Sequence, residues 1–184
     1  MNKKKMFKTG LVLFLVCAIS ALVLSGLSFA LDGKIKTNEK KKVNSAIESI
    51  AGEYKEYTSE KMSFTGSDES AKASAEITMK YIVSFEGKEN LVIYRVEGKN
   101  SFGDAVIMVG VEKSIISKVE YVSFSQTNAA SLIKSLPEEY VGKSIDANVL
   151  TDSYIKANYT GGTKGSRMMN LMMSLVLSYE GGEK

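Results

Sequence analysis

Ile77-Thr78-Met79-Lys80-Tyr81-Ile82-Val83-Ser84-Phe85 is the stretch on which the fold class turns. It is dense in β-branched and aromatic side chains and is followed by Gly87-Lys88, so it reads as a strand entering a tight turn. The pattern repeats downstream. Residues 91–96 form a second candidate strand closed by Gly98-Lys99-Asn100, residues 105–111 a third and residues 115–124 a fourth. Strands joined by such short turns predict an antiparallel meander. Upstream, Val43, Ala46, Ile47, Ile50, Tyr54 and Tyr57 recur at spacings of three and four, which predicts an amphipathic helix with one apolar face. Thr37 and Asn38 offer N-cap side chains for it. The intervening residues 59–74 are polar, with Gly66, Ser67 and Ser70, and read as a loop.

The C-terminal part changes character. Residues 129–136 suit a short helix before Pro137, the only proline, and Tyr140-Val141-Gly142-Lys143 suits a turn. Tyr159-Thr160-Gly161-Gly162-Thr163-Lys164-Gly165-Ser166 is the densest cluster of loop signals in the chain. Directly after it, residues 167–179 carry Met168, Met169, Leu171, Met172, Met173, Leu175, Val176 and Leu177, which predicts a helix apolar on most faces and therefore buried. Gly181 and Gly182 fit its C-terminal end. Adjacent methionines at helical spacing do not converge on one ion, so this stripe reads as core packing rather than a metal box.

Residues 9–31 contain no charged side chain. At about 1.5 Å per residue such a run reaches roughly 35 Å, against a bilayer core of about 30 Å, which predicts an N-terminal transmembrane helix. A cleaved signal peptide is the competing reading, with Ser28-Phe29-Ala30 as a small-x-small site. The apolar run exceeds the usual signal core of about 7–15 residues, which favours a retained anchor. The expected division is a cytoplasmic tail over 1–8, an anchor over 9–31, an amphipathic helix and loop over 32–74, and a folded domain over 75–184 outside the cell membrane.

The chain has 184 residues, one cysteine (Cys17) and no histidine. Zinc sites of Cys/His type, thiolate-held iron–sulfur clusters and Ser-His or Cys-His catalysis are therefore excluded. No metal ligand set and no catalytic residue is expected. Lys3, Lys4, Lys5 and Lys8 supply four of the 24 basic residues, leaving 20 basic against 21 acidic in the rest of the chain. The body is about neutral, and no nucleic-acid stripe is expected. Redox or transfer chemistry in such a chain must come from an organic cofactor.

One motif can hold such a group. Thr160-Gly161-Gly162-Thr163 opens the apolar helix, and glycines at a helix start let backbone amides approach an anion. The plain alternative is a tight turn capped by Thr163 or Ser166. The order of elements around this motif resembles the FMN-binding domain of the Rnf complex G subunit and of the C subunit of the sodium-translocating NADH:quinone reductase. Three stretches carry the likeness: residues 98–111, residues 119–129, and residues 160–166, the last similar to the family's Ser/Thr-Gly-Ala-Thr-x-Ser/Thr-Ser motif. The chain departs from the family at Gln126 (Glu there), Asn128 (Pro), Ala129 (Gly) and Gly162 (Ala). Ala157 stands where an acid precedes the modified threonine, and Thr127 is retained.

The resemblance implies an α+β protein: a transmembrane helix followed by one antiparallel-sheet FMN-binding-type domain with flanking helices. It implies a single-pass, membrane-anchored extracytoplasmic flavoprotein subunit that relays electrons through FMN held by a phosphoester on Thr163. Such a protein is an electron-transfer subunit rather than a self-standing enzyme. Thr160, Gly161, Gly162, Ser166, Thr127 and Gln126 would complete the cofactor site, with charge from Lys164 or Arg167. The implied partners are integral-membrane redox subunits and a flavin transferase. The alternative function is a binding or assembly module of the same fold without covalent flavin.

Overall fold

The computed structural model describes residues 3–144 and 162–182, with side chains described outside residues 3–9 and 27–32. Helix α1 (Lys3–Ala51) is followed by five strands: β1 (Glu56–Asp68), β2 (Ala73–Ser84), β3 (Leu91–Asn100), β4 (Gly103–Glu112) and β5 (Ile115–Phe124). A one-and-a-half-turn helix α2 (Ala130–Ser135) runs into a 3₁₀ turn (Leu136–Tyr140), and helix α3 (Thr163–Glu180) closes the order. The strands form one antiparallel sheet in sequence order, β1-β2-β3-β4-β5, each paired to the next. The meander read from the turn signals is present, and the fold is α+β.

Two expectations need correction. Residues 59–74 are not a loop: most of them belong to β1, whose polar, alternately half-exposed side chains are those of a sheet edge. The helix that ends at Ala51 does not begin at Thr37. It is continuous from Lys3, and the Thr37 hydroxyl donates to the Gly33 carbonyl 2.8 Å away inside the helix instead of capping it.

The transmembrane part of the expected fold is also corrected. Among the described residues no helix is long and apolar enough to cross a membrane. Helix α1 carries on through Lys34, Lys36 and Lys40 to Lys42 without a break.

Two compact units divide the chain at residue 42, residues 1–42 and residues 43–184. Within the second, each face of the sheet has its own core. One face carries Ala73, Ala75, Ile77, Tyr94, Val96, Ala105, Ile107 and Val109, covered by Met168, Met169, Met172, Met173 and Val176 of α3 and by Ile133, Leu136 and Tyr140. The opposite face carries Tyr81, Val83, Leu91, Ile93 and Met108 under Val43, Ala46 and Ile47 of α1. A bulge between Ile77 and Met79 makes this sharing work: the extra residue switches the parity of β2, so its first half faces α3 and its second half faces α1. Helix α3 is buried as its composition predicts, and the methionines are core.

Glycine allows the close approach of α3. A Cβ on Gly98 of β3 would collide with the Met172 thioether, and one on Gly66 of β1 would lie 2.9 Å from Leu175 Cδ2. This seating fixes where the N-terminus of α3 stands relative to the turns at one end of the sheet.

Candidate functional site

Helix α3 starts at Thr163, four residues before the expected start at Arg167. Gly162 is its N-cap (φ −116°, ψ 27°), and no side chain caps it, so neither Thr163 nor Ser166 plays the capping role open to it. The first intrahelical bond described runs from the Ser166 N–H to the Gly162 carbonyl at 2.9 Å. The amides of the first turn before it lack helical acceptors, and the helix dipole adds partial positive charge there. Thr163 is exposed at the first helical position.

The loop after β5 lies against this first turn. A Cβ on Gly165 would collide with Ile133 and would stand 3.5 Å from Gln126 Oε1, while one on Gly162 would stand 3.0 Å from the Ala129 Cβ. Gln126 is 5% exposed and Ser166 6%. The Gln126 amide nitrogen donates weakly to Met168 Sδ at 3.7 Å, but its Oε1 and the Ser166 Oγ have no partner among the described residues. A buried polar atom without a hydrogen bond costs about 1–3 kcal/mol, and two of them beneath one helix start mark a place where stability has yielded to something else.

The β3–β4 turn completes the cluster. Asn100, 7% exposed, accepts from the Phe102 N–H at 2.7 Å and donates from Nδ2 to the Lys164 carbonyl at 3.3 Å. The Phe102 carbonyl accepts both the Thr127 N–H and the Thr127 hydroxyl at 3.0 Å. Lys164 Nζ stands 5.7 Å from the centre of the Phe102 ring. Gly103, at φ 137°, packs so tightly on the Ser125 carbonyl that a Cβ would collide with it. The Ser125 hydroxyl in turn accepts from the Asp104 N–H at 2.9 Å.

The structure thus gathers Gln126, Thr127, Gly162, Thr163 and Ser166 at one helix end. Thr160 and Gly161 lie outside the described residues, as does Ala157. Arg167 points elsewhere: its Nε is bonded to Asp68 Oδ2 at 2.7 Å, so Lys164 is the cation at the cluster. Hydrogen bonds from the Ser70 hydroxyl and the Ala71 amide, with the Arg167 guanidinium, hold the Asp68 carboxyl below the usual range. Tyr121 and Tyr140, which flank the Ile133 side of the cluster, are pushed up by burial and stay protonated. No group of three His, Cys, Asp or Glu side chains able to hold a metal occurs among the described residues. Sequence reading missed Asn100 and Phe102 as site residues. An Asn two residues before a buried turn amide was the available signal, since Asn side chains bond backbone two residues on.

Chemically, the site offers amides and one ammonium for an anion, a hydroxyl at its mouth, and two buried polar atoms. Among the described residues it offers no base and no strong nucleophile. No family model, curated protein or solved structure matches the chain.

Proposed function

We propose that the domain is an electron-relay module carrying FMN at the N-terminus of α3, its phosphate esterified to the Thr163 hydroxyl. The observation that carries this reading is the first turn of α3, which no described side chain caps, with Thr163 exposed upon it and Gln126 Oε1 and Ser166 Oγ, without partners among the described residues, buried beneath. Free helix-start amides suit a phosphate. A capping role would have consumed them.

The residues fit the group. Gly162 and Gly165 let Ala129 and Ile133 close on one side of the first turn, Thr163 stays exposed, and Lys164 supplies positive charge. Ala129 adds independent support: its φ of 50° lies in the left-handed region that favours glycine, and the resembled family has glycine at this place in the loop. When bound, FMN would supply the redox chemistry, and the chain's part would be to hold the phosphate and orient the ring. That division suits a chain with no histidine. Its partners would be redox proteins and, for maturation, a flavin transferase; the span over 9–31 forms no part of the proposal.

The test is coexpression with a flavin transferase, followed by intact mass and in-gel flavin fluorescence under denaturing conditions. The wild type gains the mass of one FMN less one water, as a phosphoester requires, and a fluorescent band. Thr163→Val removes the only atom that can form the ester while nearly keeping shape, and loses both signals; Thr160→Val keeps them. Loss in Thr160→Val alone would move the ester to the other hydroxyl. If the wild type stays bare but Ala157→Asp is labelled, the chain is a binding or assembly module that has lost its covalent cofactor.

A further inference from the structure

Phe102 sits at the tip of the β3–β4 hairpin, where an aromatic ring has little to pack on, yet its backbone is held from both sides. Its N–H goes to Asn100 Oδ1 at 2.7 Å, and its carbonyl takes two bonds from Thr127 at 3.0 Å. The ring is only half-buried. The same Asn100 that sets this turn also holds the Lys164 carbonyl, so one buried side chain ties the Phe102 backbone to the first turn of α3. Lys164 Nζ stands over the ring, 5.7 Å from its centre. A half-exposed aromatic ring on a fixed backbone is a surface on which a flat ligand ring can stack.

We infer that Phe102 is the wall against which the ring of the bound ligand lies, with the Lys164 ammonium beside it. The site then takes a phosphate monoester bearing a flat ring in preference to a bare phosphate. This rests on the reading of the α3 N-terminus as the phosphate site and adds to it the element that selects the ligand's other end. The plain alternative is that Lys164 itself is all that Phe102 packs on, a surface cation–π pair with no ligand. Thr163 is the residue next to Lys164, so a phosphate on its hydroxyl starts within one residue of the ammonium that borders the ring.

The experiment is calorimetric titration of the full chain, without transferase, by FMN and by inorganic phosphate. The wild type is expected to bind FMN more tightly than phosphate. Phe102→Leu should weaken FMN about 2- to 10-fold, the size of one aromatic stacking contact, and leave phosphate unchanged, while Phe102→Tyr keeps the wild-type affinity for FMN. If Phe102→Leu leaves FMN binding unaltered, or weakens FMN and phosphate by the same factor, Phe102 has only a structural role and the inference falls. Phosphate bound as tightly as FMN in the wild type would overturn the inference while sparing the anion site. A wild type that binds neither would overturn both.

Discussion

The seating of α3 on β3 can be tested by a double-mutant cycle on Gly98 and Met172. Met172 is fully buried, and its thioether lies where a Cβ of Gly98 would stand. Met172→Ala removes three heavy atoms from a closed core, a change that typically costs about 2–5 kcal/mol. Gly98→Ala adds one methyl to a filled space. Because the obstructing atoms belong to a flexible side chain that can shift, its cost should fall near the lower end of the roughly 1–3 kcal/mol expected for overpacking. In the double variant the new methyl enters the cavity left by the thioether. The combined loss should therefore be smaller than the sum of the single losses, with a coupling of about 1–2 kcal/mol. Urea unfolding followed by circular dichroism gives all three values. Losses that add to within about 0.5 kcal/mol would mean that Met172 does not occupy the space over Gly98. The helix would then sit in another register on the sheet, and the geometry of its N-terminus described above would not hold.

Two further outcomes follow from the same coordinates. Gln126→Met replaces a buried amide whose oxygen has no described partner with an apolar chain of similar length; urea unfolding should show it neutral or stabilised by up to about 1 kcal/mol, while FMN binding weakens. A loss above about 2 kcal/mol would show that Oε1 is paired in the folded chain. Asp68 has a carboxyl held below its ordinary range, so its contribution is present above the unfolded value of about 3.9 and fades as pH falls through the lower folded value. Melting curves from pH 7 to pH 3 should therefore show Asp68→Asn less stable than wild type at neutral pH, by less than about 1 kcal/mol for so exposed a pair, with the two converging in acid. A gap that widens in acid would refute the assignment.

What the sequence made legible follows from how local each signal is. The strands from Ile77 to Phe124 were readable because β-branched runs and short turns are complete within ten residues. The apolar helix over 167–179 was readable because its stripe is wide. β1 was not, since residues such as Ser59, Glu60, Lys61 and Ser63 are those of an edge strand: polar, with a bulge at Lys61/Phe64, and distinguishable from a loop only through pairing with β2. The parity switch in β2 is equally hidden, because a bulge leaves the sequence of alternation unbroken and changes only which face each residue meets. At the site, the helix start was misplaced by four residues because Lys164-Gly165-Ser166 looks like loop. Gly165 is tolerated inside the helix because Ile133 needs its space.

That last point bears on how the site is built. A glycine in the first turn of a helix is unfavourable relative to alanine by roughly 0.5–1 kcal/mol, and Ala129 in a left-handed conformation adds a further cost of order 1 kcal/mol. Both lie within the contact between the Gln126 loop and α3, and both bring that loop closer to the helix than ordinary side chains would permit. The two partnerless atoms, Gln126 Oε1 and Ser166 Oγ, lie in the same contact. An apolar residue at 126 would relieve one of these costs, whereas the glycine at 165 is required by the close approach of Ile133. Ser117 Oγ, on β5, likewise has no partner among the described residues, so what supports the anion site proposed above is the pairing of two such atoms with a helix start that no side chain caps.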